Sequence, residues 1–311
     1  MAIVEVPIVE AAPQDAHDDT HSIAEPTVVQ WRSLPHVRKE TVGTGVGVGV
    51  LDTAVSPHPW FAGQVHGDRA GNVGGLLGDN YKAGHATFVA GLVLQQAPAA
   101  RVTVTGALDT NGQASTDTVI EEALRLVRRR KENGKHEIDI LNLSLGCYGS
   151  NGERAEFEKL FEEIWQENPG LVVVTAAGNK RAEERRSFYP AVLADHERLV
   201  SVGAATDAAG EQWAEFSNRG PYVTFLVDGT DLVSTFLRFE TTNGNPEGRW
   251  ARWAGTSFST AIVSGRIAAT MAPGNGPGRM SGTDAVAALL GGSDERPVSL
   301  AVEQFPPSKP A

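Results

Sequence analysis

A serine stands where a glycine-bounded loop runs into an apolar segment. After Gly255-Thr256-Ser257 the residues up to Met271 are small or apolar and include no proline, which predicts a helix that starts near Ser257. The first turn of a helix leaves backbone N–H groups unpaired and carries the positive end of the helix dipole. A serine hydroxyl there could attack a carbonyl carbon while those N–H groups hold the resulting oxyanion.

Two upstream segments carry the groups that such a serine needs. Val46–Leu51 has the pattern of a buried strand and leads into Asp52, and Gly84 and His85 open a second predicted helix. Because a serine hydroxyl is almost fully protonated at neutral pH, an imidazole must accept its proton and a carboxylate must orient that imidazole. The chain therefore offers a nucleophile in Ser257, a base in His85 and an orienting acid in Asp52.

A fourth polar side chain follows another apolar strand. Leu171–Ala176 is apolar apart from Thr175, and the turn after it ends in Asn179. The amide of Asn179 could donate to the same oxyanion as the N–H of Ser257. Strand ends and helix starts share one edge of an open α/β sheet, so we expect these four side chains to meet there.

Five segments in this order resemble the subtilase family, the subtilisin-like serine peptidases. They are Asp52-Thr53-Ala54, Gly84-His85-Ala86-Thr87, Leu141-Asn142-Leu143-Ser144-Leu145-Gly146, Ala176-Ala177-Gly178-Asn179 and Gly255-Thr256-Ser257. The resemblance covers the chain from about Gly43 to Met271, and the order Asp, His, Ser is that of subtilisin.

The resemblance implies a fold, an activity and a substrate site. The fold is three-layer α/β, with a mostly parallel twisted sheet and helices on both faces. The activity is that of a serine endopeptidase with catalytic Asp52, His85, Ser257 and Asn179. Ser144, Leu145 and Gly146 would pair with the extended backbone of a peptide substrate, as a strand added to an exposed edge.

The sequence departs from the family pattern at three positions. Ala54 and Ala86 stand where the family has glycine, and Ala261 stands where it has proline. Alanine suits a helical backbone, but Ala54 would cost about 1 kcal/mol or more if its position needed a positive φ. No reacting atom is lost, so we favour an active enzyme; the alternative is a pseudoprotease that binds peptides without cutting them.

The connection after the His85 helix leaves no room for the calcium-binding loop that many subtilases carry there. Leu92–Gln96 runs directly into Ala97-Pro98-Ala99-Ala100. Calcium takes about six to eight oxygen ligands, so we expect this site to be absent and no cofactor to be required. The scattered histidines and the single cysteine, Cys147, show no zinc-type spacing.

Composition supports a globular enzyme, and the resemblance implies that its partner is a peptide or protein substrate. The net charge of −11 argues against nucleic acid and anionic membranes as partners. No apolar run reaches the roughly 18 residues of a transmembrane helix. The beginning of the chain lacks a basic, apolar leader, which favours a cytoplasmic protein; the alternative is a mature secreted form. The oligomeric state does not follow from the sequence.

The chain divides into an N-terminal arm over 1–40, a peptidase domain over 41–292 and a tail over 293–311. The acidic residues 1–26 are interpreted either as a flexible arm or, through Val4–Val9, as a segment extended along the active cleft, as in some intracellular subtilases. The lack of a long prodomain and the short loops suggest a narrower form of the same activity, a maturation enzyme dedicated to one precursor.

One helix in the middle of the chain is predicted in detail. Apolar residues recur at helical spacing from Ser115 to about Asn133, with Ser115 or Thr116 as the cap. The basic residues Arg128–Lys131 fit the negative end of its dipole and are interpreted as a solvated face.

Overall fold

The structure, a computed structural model, describes residues 3–5, 27–29, 41–67, 81–149, 151–180, 186–237, 249–273 and 279–301. Within these ranges the helices are α1 (His85–Gln96), α2 (Thr116–Val127), α3 (Asn151–Glu167), α4 (Thr256–Met271) and α5 (Gly282–Leu290). The strands are β1 (Ile3–Glu5), β2 (Thr27–Val29), β3 (Gly47–Asp52), β4 (Val65–Gly67), β5 (Arg101–Gly106), β6 (Gln113–Ser115), β7 (Ile140–Leu143), β8 (Cys147–Gly149), β9 (Val172–Ala176), β10 (Ser187–Tyr189), β11 (Leu199–Ala205), β12 (Val223–Asp228), β13 (Leu232–Phe236), β14 (Arg249–Trp253) and β15 (Val298–Leu300). None of the helices in these ranges is long and apolar enough to cross a bilayer.

Eight strands form a parallel sheet at the centre of the molecule. Their order is β15-β12-β11-β9-β7-β3-β5-β4, and each neighbouring pair is parallel. The strand order changes direction at β3, which lies between β5 and β7. In open sheets such a switch point forms a crevice at the carboxyl ends of the strands. Asp52 ends β3 and Leu143 ends β7, so both lie at this crevice.

Helices cover both faces of the sheet. On one face α1, α4 and α5 pack with β13 and β14 around residues such as Val48 and Val50. On the other face α2 and α3 pack around residues such as Leu51 and Leu141. The neighbours Val50 and Leu51 belong to different cores because side chains alternate along a strand. The predicted three-layer α/β fold is confirmed.

Helix α2 starts as predicted but ends earlier. Ser115 is its cap, whereas Val127 is its last residue, not Asn133. After the helix the chain turns back, and the N–H of Glu137 donates to the carbonyl oxygen of Arg129 at 3.0 Å. The guanidinium of Arg129 also donates to the buried Glu137 carboxylate at 2.8 Å. The segment is a solvated face, as predicted, because Arg128, Arg129 and Arg130 are exposed, and Arg129 also pairs with a buried carboxylate from this face.

Short strands from both ends of the chain join the sheets. β15 pairs with β12 at the edge of the central sheet, although the sequence predicted a tail over 293–311. Of its three residues only Leu300 is buried, which is too little alternation for a strand to be recognised. β1 pairs antiparallel with β6, so the arm is ordered at Ile3–Glu5.

Candidate active site

An aspartate and a histidine meet at the carboxyl edge of the sheet, because β3 ends at Asp52 and α1 begins at His85. The two carboxylate oxygens of Asp52, Oδ2 and Oδ1, lie 2.7 and 2.9 Å from Nδ1 of His85. Only 0% of Asp52 and 1% of His85 is exposed. A buried carboxylate on Nδ1 orients the ring and favours the tautomer with its proton on Nδ1. Nε2 can then accept a proton.

Thr53 ties the two elements together. Its backbone N–H donates to Oδ1 of Asp52 at 2.6 Å. Its hydroxyl accepts from the N–H of Ala86, in the first turn of α1, at 3.2 Å. The residue after the aspartate thus sets the distance between the strand end and the start of the helix.

The three alanine departures fit their backbone positions. Among the described residues the non-glycine residues with positive φ do not include Ala54, so the strain considered above does not arise. Ala86 and Ala261 lie inside α1 and α4, where alanine is favoured. The substitutions are therefore compatible with the backbone that carries the site.

Ser257 is the second residue of α4 and is hydrogen-bonded to Ser144. The Ser257 hydroxyl donates to the Ser144 carbonyl oxygen at 3.1 Å, and the Ser144 hydroxyl donates to the Ser257 carbonyl oxygen at 2.8 Å. Nε2 of His85 is buried and has no hydrogen-bond partner among the described residues. The ring of Phe258, the residue after Ser257, lies 5.3 Å from the His85 ring. Helices α1 and α4, which carry His85 and Ser257, pack against each other, but the Ser257 hydroxyl and Nε2 of His85 are not hydrogen-bonded to each other.

Asn179 is held by its amide oxygen. Oδ1 accepts from the backbone N–H of Thr256 at 3.0 Å and from the Thr256 hydroxyl at 2.8 Å. With Oδ1 engaged there, the Nδ2 group is directed toward Gly255, where an added Cβ would lie 3.3 Å from it. Gly255 has φ 153°, a conformation that glycine adopts at little cost. The amide donor is thus presented beside the start of α4, whose first N–H groups have no acceptor within the helix.

Thr256 is a candidate positioning residue that the sequence reasoning did not assign. Its hydroxyl donates to Asn179 and also accepts from the N–H of Gly178 at 3.2 Å. It connects the start of α4 with the loop that carries the amide. Its position next to Ser257 was a signal, but threonine is common at helix starts for reasons of capping alone.

Apolar rings surround the imidazole. The Trp253 ring lies 5.8 Å from the His85 ring in an edge-on arrangement at 85°, and Trp253 is only 1% exposed. Trp253 therefore packs in the core, edge-on against the histidine ring. Such a wall keeps water away from the Asp52–His85 pair and strengthens its electrostatic interaction.

The predicted substrate strand follows β7 and lies beside the serine. Ser144 and Leu145 are fully buried, and Ser144 makes the reciprocal hydrogen bonds with Ser257 described above. Val4 of β1 belongs to the same buried cluster as Leu145 and Cys147. The described part of the N-terminal arm therefore lies against the end of this strand, while 6–9 fall outside the described residues.

Metal ligands are not grouped in the described ranges. No set of three or more His, Cys, Asp or Glu side chains in them is arranged to hold a metal ion. Helix α1 continues to Gln96 and reaches β5 through residues 97–100, so the connection is as short as the sequence indicated.

Sequence comparison identifies relatives among serine proteases. The profile of the Subtilase family matches residues 43–291. Serine protease AprX from Bacillus subtilis (strain 168) is 28% identical over 255 residues, which are 72% of this chain and 56% of AprX. A thermophilic serine proteinase from Bacillus sp. (strain AK1) is 29% identical, with 72% and 52% covered. The chain thus spans about half the length of these two relatives. An intracellular serine protease from Paenibacillus polymyxa is 27% identical, with 78% and 72% covered.

Comparison of structures gives the same fold. The crystal structure of a cold adapted subtilisin-like serine proteinase superposes with a TM-score of 0.62. The sequence identity is 23%, and the match covers 88% of this chain and 92% of the other. The architecture is therefore subtilisin-like.

Proposed function

Because this chain belongs to the subtilase family, we propose that it is a serine endopeptidase that hydrolyses peptide bonds through an acyl-enzyme. The observation that carries the proposal is the buried Asp52–His85 pair, with a carboxylate oxygen 2.7 Å from Nδ1. Nε2 has no hydrogen-bond partner among the described residues, and Ser257 lies at the start of α4, which packs against α1. A buried imidazole that is held by a carboxylate on Nδ1 and has a free acceptor at Nε2 is suited to activate a serine.

The proposed reaction has two stages. Ser257 Oγ attacks the carbonyl carbon of the scissile bond while Nε2 of His85 takes the hydroxyl proton. The Ser257 N–H and Asn179 Nδ2 donate to the oxyanion, and Asp52 stabilises the imidazolium. His85 gives its proton to the leaving amine as the C–N bond breaks. A water then attacks the ester, His85 takes the water's proton and returns it to Ser257, and the acid product leaves.

Covalent labelling tests this proposal directly. A fluorophosphonate should label the wild-type chain at Ser257, as located by peptide mass spectrometry, and should not label Ser257→Ala. Ser259→Ala is the matched control, since this buried serine on the same helix donates to the Val227 carbonyl oxygen. It should be labelled like the wild type. Equal labelling of Ser257→Ala would contradict the proposal.

A peptide-binding pseudoprotease is the second candidate. It is favoured by the hydrogen bond from the Ser257 hydroxyl to the Ser144 carbonyl oxygen, which keeps the nucleophile from His85. Hydrogen bonds in substrate-free active sites often form fully only in the complex, and for this reason we prefer the enzyme. Peptide binding without labelling or turnover would decide for the second candidate.

A narrower role as a maturation protease is a finer form of the proposal. It is supported by short connections in the chain, such as residues 97–100 between α1 and β5. A dedicated enzyme would cut few sequences in a peptide library and leave casein largely intact. Extensive casein digestion would instead indicate a degradative protease.

A further inference from the structure

A cavity lies at the amino ends of the central strands, on the edge of the sheet opposite the proposed active site. Its volume is about 510 Å³, within the range of roughly 300–1,000 Å³ that is typical of small-molecule sites. It is lined by the first residue of β5 and by the turn between α2 and β7, through Arg101, Arg130, Lys131, Glu132, Asn133 and Glu137. These residues are distinct from the proposed catalytic groups, so the cavity is a separate feature of the molecule.

The buried carboxylate of the lining is already compensated by its own partners. Glu137 is only 7% exposed. The guanidinium of Arg129 donates to its Oε2 at 2.8 Å, and the hydroxyl of Thr103 donates to its Oε1 at 2.8 Å. The negative charge of Glu137 is therefore balanced from its protein side and does not neutralise the other cations around the cavity.

Two cations in the lining have few partners of their own. The exposed Arg101 approaches Glu137 only at 3.6 Å, and its guanidinium donates no hydrogen bond to any residue that the structure describes. The ammonium of Lys131 makes one long hydrogen bond, 3.4 Å, to the carbonyl oxygen of Gly45. Arg130, in contrast, is paired with Glu167. The charges of Arg101 and Lys131 are thus free to bind a ligand.

The same two cations are brought together by the start of β3. Arg101 is the register partner of Gly47, and its backbone N–H donates to the carbonyl oxygen of Val46 at 2.9 Å. Lys131 reaches the carbonyl oxygen of Gly45, the residue before Val46. Two side chains from distant parts of the chain therefore converge on one side of the cavity.

The electrostatic potential beside the cavity is positive, although the whole chain has a net charge of −11. His66 lies on β4, which pairs with β5. Partial burial and the charges of Arg101 and Arg129 hold the pKa of His66 below its ordinary value of 6.5, although Glu137 acts in the opposite sense. Nearby cations disfavour a protonated imidazole, and the same cations attract an anion.

We propose that this cavity binds a small molecule through a phosphate group held by Arg101 and Lys131. A phosphate monoester carries roughly 1.5 to 2 negative charges at pH 7 on one centre, so it can pair with both cations at once. The planar guanidinium suits bidentate contacts with phosphate oxygens, and the ammonium acts as a point charge. A single carboxylate would leave one cation without a partner. The amide of Asn133 can bind other polar groups of the molecule.

Calorimetry on the full chain at constant ionic strength tests the proposal, with pyrophosphate as the probe and acetate as the comparison. Pyrophosphate should bind at one site per chain, and acetate should not bind measurably. Arg101→Gln and Lys131→Gln should each weaken the binding of pyrophosphate by roughly 10- to 100-fold, the contribution of one hydrogen bond between charged groups. Absent binding of pyrophosphate, or full affinity in both variants, would overturn the proposal.

A matched variant separates a defined site from a response to overall charge. Arg154→Gln removes an exposed cation of α3 that pairs with Glu158, so it should bind pyrophosphate like the wild type. An equal loss of affinity in Arg154→Gln would overturn the proposal. If Arg101→Gln does not fold, Lys131→Gln decides the question, because it loses only one long hydrogen bond on the protein.

Chemical modification gives an independent readout of the position of the ligand. Pyrophosphate should slow the acetylation of Lys131 by acetic anhydride, as followed by peptide mass spectrometry, but not that of Lys159, an exposed lysine of α3. It should leave fluorophosphonate labelling of Ser257 unchanged, since the cavity lies at the other edge of the sheet. Unprotected Lys131 at saturating pyrophosphate, or loss of Ser257 labelling, would place the ligand elsewhere and overturn the proposal.

Discussion

In the proposed mechanism, Asn179 acts through the direction in which its amide points. Its oxygen accepts two hydrogen bonds from Thr256, which leaves the amide nitrogen as the atom proposed to donate to the oxyanion. Removing one oxyanion donor of this kind costs on the order of 10²–10³ in kcat, a magnitude that comes from subtilisin itself. We expect Asn179→Ala to lower kcat by this factor with little change in KM, measured on a peptide ester and a peptide amide. A loss confined to KM would mean that the amide binds substrate and not the transition state.

Thr256 should influence the same step without contacting the substrate. Thr256→Val removes the hydroxyl that bonds Asn179 and Gly178 but keeps the shape of the side chain. We predict a fall in kcat that is smaller than that of Asn179→Ala, because the backbone N–H of Thr256 still holds the amide oxygen. The loss should nearly vanish when Asn179 is already alanine, as expected for residues that act as a unit.

The control for this prediction lies at the other end of the same helix. Thr270 donates to the Arg266 carbonyl oxygen through its hydroxyl, far from the serine, so Thr270→Val should leave kcat unchanged. Independent losses in Thr256→Val and Asn179→Ala that simply add would contradict the positioning role.

At the level of elements, we predict that the N-terminal strand competes with substrate for the predicted substrate strand. β1 pairs with β6 and buries Val4 in the cluster that contains Leu145. Burying a valine stabilises by about 1.5–3 kcal/mol, so we predict that deleting residues 1–26 raises kcat/KM by up to about 10- to 100-fold. The deletion keeps β2 on β14. Activity is measured on a short peptide. The wild type and the deletion are compared at equal concentrations of active enzyme, which fluorophosphonate labelling of Ser257 determines in a separate sample.

Two point variants distinguish competition between the arm and the substrate from a general loss of stability. Val4→Asp in the full chain should raise activity, because Val4 is fully buried, whereas Ile3→Asp should not, because Ile3 is 62% exposed. Unchanged rates for the deletion and for Val4→Asp would show that the arm does not compete with substrate.

The helix that carries His85 should keep its fold without calcium. α1 reaches β5 through residues 97–100, which offer fewer oxygen ligands than the roughly six to eight that calcium takes. We predict that peptide hydrolysis and Tm are the same in a chelator and in added calcium. A chelator that lowers Tm, with recovery on adding calcium, would reveal a calcium site and contradict this prediction.

The elements of the site could be predicted because their sequence signals are local. β3 and β9 are continuous buried runs, and α4 follows a glycine, so their ends were placed to within a residue or two. β8 and β10 have three residues each, too few for periodicity, and therefore these two strands were missed. The hydroxyl direction of Ser257 depends on Ser144, which is 113 residues away. Such details depend on tertiary packing and have no local signature.

On the scale of the whole molecule, the proposed active site and a buried ion-pair cluster around Glu137 lie at opposite edges of the central sheet. The proposed catalytic groups lie at the carboxyl ends of the strands, and Glu137 precedes β7 at the amino ends. The two edges are roughly 17 Å apart, given about 3.3 Å per residue along β3. Glu137 is 7% exposed, and its oxygens accept from the hydroxyl of Thr103 and the guanidinium of Arg129. Removing its charge should therefore affect folding and leave kcat unchanged.

The pH dependence of stability follows from the same cluster. Burial raises the pKa of Glu137, but the Thr103 hydroxyl, Arg129 and Arg101 outweigh it and hold that pKa below its ordinary value of 4.5. A carboxylate whose pKa is lower in the folded chain than in the unfolded chain stabilises the fold. This stabilisation is complete above the pKa of the unfolded chain, and it is lost as the pH falls through the pKa of the folded chain. We predict that Glu137→Gln lowers the free energy of unfolding by about 1–3 kcal/mol at pH 7. The difference from wild type should shrink below pH 4.5, as measured by urea unfolding.

The control is Glu158→Gln, which alters an exposed pair with Arg154 and should change the free energy of unfolding by less than about 1 kcal/mol. A Glu137→Gln difference that persists at low pH would show that the carboxylate contributes through packing and not through its charge.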